Sequence, residues 1–215
     1  MREKVLSYTG SLLGGMIHNI NTPLMWIMGR SQLIEARNEC LEQLKDLPSE
    51  EIIQIKDKNI KDIASIAEGA DKIDSILKAV GYKVQMANEG QTAVELREYL
   101  SMETNFLMAD MRFKHETQFE LYLENSSSCY VKVDYNALSW SVIGIINTII
   151  GATERGRNLK ITLDNGIIRF LCPQMEFSPK IDQEIEQACS ALKEHANVEI
   201  NGSNGCEIAI VLKGA

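Results

Sequence analysis

Basic charge is scarce in this chain. Lysine and arginine number 22 against 30 aspartates and glutamates, a net charge of −8 over 215 residues. A nucleic-acid or anionic-membrane partner needs a basic face to meet phosphate, so neither is expected. Paired cysteines are also missing. Cys40, Cys129, Cys172, Cys189 and Cys206 contain no C-x-x-C, which argues against a zinc site or disulfide framework and suits reduced thiols. No run approaches the roughly 20 apolar residues that span a bilayer. Gly14, Gly15, His18 and Asn19 interrupt the mildly apolar N-terminal stretch, and no small-residue cleavage site follows, so it does not read as a signal peptide. What remains is 45% hydrophobic and 24% charged, the balance of a soluble globular protein with room for one large or two small domains. A cytoplasmic location is expected.

Helical periodicity dominates the first third. Leu13, Ile17, Ile20, Leu24 and Ile27 are spaced by fours and threes, and Ile34 and Leu41 keep the same seven-residue frame. That is the seam of a coiled coil or helical bundle. The stretch DLPSE at 46–50 reads as a turn, with Ser49 as N-cap before Glu50 and Glu51. A second helix then runs to about Val80, with Ile52, Ile55, Ile63, Ile66, Ala70, Ile73 and Leu77 as its stripe. Two long helices joined by a short turn make an antiparallel hairpin. A hairpin cannot cover both of its own stripes, so two chains are expected to pair into a four-helix bundle.

The texture changes after Gly81. Residues 81–90 read as a linker and 91–115 as a helix. Strand patterns follow at 118–124, 129–133, 160–164 and 166–172, with helices over 134–153 and 179–196 and two terminal strands around a glycine-rich turn. The fold class is therefore α+β: a helical hairpin over 1–80, a linker over 81–90, and a sandwich of helices on a mixed sheet over 91–215.

Within the first helix stands MIHNINTPL, residues 16–24. It resembles the H-box of bacterial sensor histidine kinases, in which a phosphoaccepting histidine is followed by an acid and then often by Thr-Pro-Leu or Asn-Pro-Leu. Further on, NTIIGA at 147–152 is similar to the N-box of that family's ATP-binding domain, Asn-Leu-Leu-x-Asn-Ala. The resemblance spans nearly the whole chain and implies a dimerisation and phosphoacceptor hairpin followed by a histidine-kinase-ATPase-like domain. It places the phosphoryl group on His18. Asn19 then stands where the family has its acid, and Thr22 where a residue orients the water that dephosphorylates a partner.

The departures from that pattern bear on function. Asn19 is uncharged and cannot serve as a base. The second N-box asparagine, a magnesium ligand in the family, falls on Gly151, which has no side-chain oxygen for a hard cation; only Asn147 is kept. The family's adenine-reading box, Asp-x-Gly-x-Gly, has no counterpart. The Asp164-Asn165-Gly166 triplet lies between two strand patterns, as a hairpin turn does. No glycine occurs between Ile167 and Asn201, although phosphate loops need glycines for close backbone approach.

Each signal has a plainer alternative. His18 is either a phosphoacceptor or a structural histidine. Thr22 either positions water or bonds a backbone carbonyl beside Pro23. Gly14 and Gly15 either clear space for a partner or allow close helix packing. Met25, Trp26 and Met28 are expected in the core, with a partner-binding surface as the alternative. His115 and His195 read as surface residues, and NGSNG at 201–205 as a hairpin turn.

The resemblance and its departures together imply a dimeric histidine phosphotransfer protein of two-component signalling. It would relay a phosphoryl group between His18 and the aspartates of response-regulator receiver domains, with no cofactor and no metal site of its own. Arg30 is a candidate donor toward the receiver. The alternatives are a histidine autokinase with a divergent site for ATP and magnesium, and a pseudokinase-like regulator that transfers nothing.

Overall fold

The structure is a computed structural model that describes residues 1–43, 48–123, 129–202 and 205–214. It divides into two compact units. One comprises Gly14–Lys78; the other comprises Met1–Leu13 together with Ala79–Ala215.

The Gly14–Lys78 unit is built from α2 (Leu13–Gln43) and α3 (Ser49–Glu89), which begin or end outside it. Cross-helix contacts run antiparallel. Gly69 faces Pro23 and Ile27, Lys72 lies over Trp26, Asp62 binds Arg30, and Asn59 meets Arg37. Ser49 is the first helical residue rather than the cap. The Pro48 carbonyl accepts from the Glu51 and Ile52 amides, with Glu50 and Glu51 favourably placed in the first turn. Asp46 and Leu47 of the expected turn lie outside the described residues.

This hairpin has almost no interior. Among its described residues only Met16, Pro23, Asp62 and Gly69 are buried. Of the expected seam, Leu13, Ile17 and Leu24 are exposed, while Ile20, Ile27, Ile34 and Leu41 are half-buried. Met25, Trp26 and Met28, expected in the core, stand exposed instead, because α3 covers only one side of α2.

The second unit holds the hydrophobic core. Its elements are α1 (Arg2–Ser11), the end of α3, β1 (Gln91–Glu95), α4 (Leu96–Leu107), α5 (Met111–Glu116), β2 (Thr117–Leu123), β3 (Tyr130–Asp134), α6 (Tyr135–Ala152), β4 (Arg157–Asp164), β5 (Ile167–Cys172), α7 (Pro179–Ala188), β6 (Ala196–Asn201) and β7 (Cys206–Leu212). Five strands form a mixed sheet in the order β2-β4-β5-β7-β6. The β2–β4 pair is parallel and the other pairs are antiparallel. A separate antiparallel pair joins β1 to β3. Alternation along β4 and β5 buries Leu159, Ile161, Ile168 and Phe170 in one cluster with Ile145, Ile146 and Ile149 of α6. α6 is long and apolar enough in composition to cross a membrane, yet two-thirds of it, 67%, is buried inside this unit.

Caps define the helix starts. Asp134 accepts from the Asn136 and Ala137 amides at α6, and Ser178 accepts from Ile181 at α7 with Pro179 in the first turn. Asp164-Asn165-Gly166 forms the expected β4–β5 hairpin. Asn165 (φ 47°) and Gly166 (φ 75°) both adopt the left-handed conformation of a type I′ turn. β6 and β7 also pair as a hairpin around the 201–205 turn, of which Ser203 and Asn204 lie outside the described residues.

Several boundaries differ from the sequence reading, and the helix expected over 179–196 ends at Ala188. The first helix is interrupted at Leu12, and α1 belongs with the second unit: Val5 and Thr9 are buried, and Val5 joins its core. The linker expected over 81–90 is helical to Glu89, because Lys83, Met86 and Ala87 are buried in that unit; Gly90 (φ 72°) ends the helix. The helix expected over 91–115 is instead strand β1 followed by α4 and α5, capped by Glu95 and Asp110.

Candidate functional site

His18 sits in the second turn of α2 with its side chain exposed; Asn19 beside it is half-buried. Thr22 is one turn further along the same face, and its hydroxyl donates to the His18 carbonyl at 3.1 Å. Pro23, buried against the hairpin, has no N–H with which to continue the ladder there. The imidazole is therefore open to a docking partner, and the backbone beneath it is bonded by a threonine hydroxyl.

Below the histidine the exposed face of α2 becomes apolar. Met25 is 71% and Trp26 52% exposed. With Gly29, Arg30, Leu33 and residues of α3 they line a hollow of about 480 Å³. Arg30 spends one Nη1 donor on Asp62, and its side chain is still 48% exposed. Its Nη1 lies 2.6 Å from Asp62 Oδ1, while Arg37 Nη1 takes the other carboxylate oxygen at 2.6 Å. The hydrogen bond from Arg37 is the largest influence holding the Asp62 carboxyl below the ordinary carboxylate range. Sequence reading missed Asp62; the signal was a carboxylate on the face of α3 that also carries Ile55 and Ile66.

Asn147 and Gly151 lie in the other unit, one turn apart on α6. Asn147 Oδ1 accepts from Arg112 Nη2 at 3.5 Å, and Tyr8 of α1 also hydrogen-bonds this side chain. Burial, reinforced by Asp110 and Glu103, pushes the Tyr8 phenol far above its ordinary value, so it stays neutral. Gly151 is exposed, and a Cβ there would meet nothing within 4 Å. From β5 the chain passes to α7 through residues 173–178, with Met175 turned into the core. Among the described residues no cluster of histidines, cysteines and carboxylates could hold a metal ion. His115 is exposed and His195 half-buried.

Three observations bear on the nucleotide and magnesium that the resemblance implies. Gly151 offers no ligand, the Asn147 carboxamide is engaged by Tyr8 and Arg112, and the 173–178 connection contains no glycine.

No protein-family description and no curated protein matches this chain. Among solved structures it is similar to the histidine kinase AdeS of Acinetobacter baumannii, at 13% identity and a TM-score of 0.43, over 92% of this chain and 98% of that one. It is also similar to the mycobacterial sensor histidine kinase MprB, at 13% identity and 0.45, over 57% of this chain and 96% of that one. The histidine kinase ThkA, solved in complex with the response regulator TrrA, matches at 18% identity and 0.45, over 98% of this chain and 63% of that one.

Proposed function

We propose that this chain is a histidine phosphotransfer protein of two-component signalling, working as a homodimer in the cytoplasm and without nucleotide of its own. The observation that carries the reading is the exposed His18 imidazole, set in an H-box-like segment on the outer face of a helical hairpin. An imidazole nitrogen attacks the phosphorus of a receiver's aspartyl phosphate in line. The P–N bond forms as the P–O bond to the carboxylate breaks, and the aspartate leaves as carboxylate. Reversal onto a second receiver passes the group on. Docking supplies the alignment, worth far more than any added chemical group for such a transfer. The charge on the phosphoryl oxygens would be neutralised by the metal that the receiver carries.

The dimer rests on the hairpin's lack of an interior. Ile17 and Ile63 are each 57% exposed, and Ile60, Leu77 and Leu24 are open as well. A second copy covering those stripes completes a four-helix bundle.

Two phosphorylation assays on native protein and His18→Ala test the reading. One supplies labelled ATP with magnesium, the other a panel of receivers already phosphorylated on aspartate. Label arriving from a receiver, and only with His18 present, is expected. Label from ATP would overturn it in favour of an autokinase, and label from neither donor in favour of a non-catalytic regulator.

A further inference from the structure

A cavity of about 580 Å³ runs along one edge of the five-stranded sheet, between α7 and β6. β6 is the terminal strand, and among the described residues it pairs with β7 alone. The phase of that ladder fixes which β6 groups face outward. The Lys213 N–H donates to the His195 carbonyl at 2.9 Å, just outside the Ala196–Leu212 pair. That bond marks Ala196–Leu212 as a non-hydrogen-bonded pair, and every second pair along the ladder shares its character. Ala196, Val198 and Ile200 therefore turn their N–H and C=O groups away from β7; Ala196 is covered, at 3% exposure, whereas the half-buried Val198 and Ile200 present theirs at the open edge. Their side chains form the apolar floor of the cavity.

The walls are equally specific. Ile185 of α7 adds an apolar side, and the exposed ring of Phe177 closes one end against Gly202. Asp182 and Glu186, one turn apart on α7, overlook the floor. Glu186 is paired with Lys193 at 2.9 Å, whereas Asp182 has no ion pair among the described residues.

We propose that this edge docks an extended segment of another protein, which adds a sixth strand beside β6. The open row of peptide groups selects an extended backbone. The floor selects apolar side chains at every second position, and Asp182 selects a lysine or arginine on that same face. The partner is thus a strand alternating apolar and polar residues, with a basic residue on its apolar face.

The test is a ¹H–¹⁵N titration of the full chain with acetyl-Thr-Lys-Thr-Val-Thr-Val-Thr-Lys-Thr-amide, which presents Lys, Val, Val and Lys on one face in either direction. Saturable shifts are expected at Val198, Ile200 and α7. Val198→Pro removes an outward N–H without touching the β6–β7 ladder and is expected to weaken binding about tenfold; Val198→Thr, which keeps it, costs much less. Asp182→Lys leaves the strand intact and is also expected to weaken binding about tenfold. No shifts at millimolar peptide, shifts confined elsewhere, or native affinity in both variants would overturn the proposal. Self-association without peptide that Val198→Pro abolishes would overturn it too, making a second copy the occupant.

Discussion

Gly69 lies so close beneath Ile27 that a Cβ on it would sit 3.0 Å from Ile27 Cγ1 and 3.4 Å from the Pro23 carbonyl oxygen. The two helices of the hairpin approach through this glycine, directly beside the MIHNINTPL segment. Gly69→Leu is expected to force them apart and cost roughly 1–3 kcal/mol by overpacking, despite leucine's better helix propensity. Thermal unfolding followed by circular dichroism measures the loss. An unchanged melting temperature would mean that the helices do not meet here.

Asp62 makes the hairpin acid-sensitive. Its carboxyl is held below the unfolded value of about 3.9 by Arg37 and Arg30, against the opposing effect of burial. The folded state therefore binds its proton less readily than the unfolded chain. The stabilisation is fully present above pH ~4 and is lost as pH falls from there through the lowered folded value. Helical content titrated from pH 6 to pH 2 is expected to show this loss in native protein, and Asp62→Asn to flatten it. A mutant curve parallel to the native one would sink the idea.

In the second unit Lys83 Nζ lies 2.5 Å from Glu103 and 2.9 Å from Ser139, all three buried. Burial lowers the lysine's pKa, and Glu103 opposes that shift. Lys83→Met leaves a buried carboxylate without its cation and is expected to cost about 3–5 kcal/mol in denaturant unfolding. Adding Glu103→Leu should recover most of it. If the double variant is no better than the single one, the pair is not coupled as its geometry indicates.

Gly151→Asn restores the carboxamide that the N-box pattern would have. With nothing within 4 Å of the new Cβ, stability should rise by a few tenths of a kcal/mol, because asparagine is the better helix former and meets no neighbour there. No label from ATP should appear, since the 173–178 connection still has no glycine. Labelling gained by this one change would show that the domain lacks only a metal ligand.

Thr22→Ala removes the hydroxyl that donates to the His18 carbonyl. Phosphoryl arrival on His18 from a receiver is expected to continue within about threefold, because this hydroxyl bonds backbone and not imidazole. Single-turnover transfer measures it. Loss comparable to that of His18→Ala would give Thr22 a direct part in the transfer.

Most strands were legible in the sequence because each alternates cleanly. β4 and β5 bury every second residue, and Asn165-Gly166 punctuates them. β1 was hidden: Gln91–Glu95 has one fully buried residue, Val94, and exists by pairing with β3 some forty positions away. The end of α3 was hidden for a related reason. Gly81 and the polar residues after it look like a linker, and only the burial of Lys83, Met86 and Ala87 makes a helix of them. Of the candidate site, His18, Asn19 and Thr22 stand within one short segment that can be read by eye. Asp62 could not be read so, since its two arginines come from the other helix and periodicity is blind to a cross-helix clamp.

Because α1 belongs with Ala79–Ala215 while Gly14–Lys78 forms a unit by itself, the hairpin is an insertion within the second unit. A growing chain makes α1 before α6, yet Val5 joins the core cluster only once α6, on which α1 packs, has been synthesised. Until then α1 waits as an unfinished piece, tethered through every residue of the hairpin. An early-folded hairpin shortens that tether and lowers the entropy lost when α1 is recaptured. The order of synthesis and the order of completion therefore run in different directions.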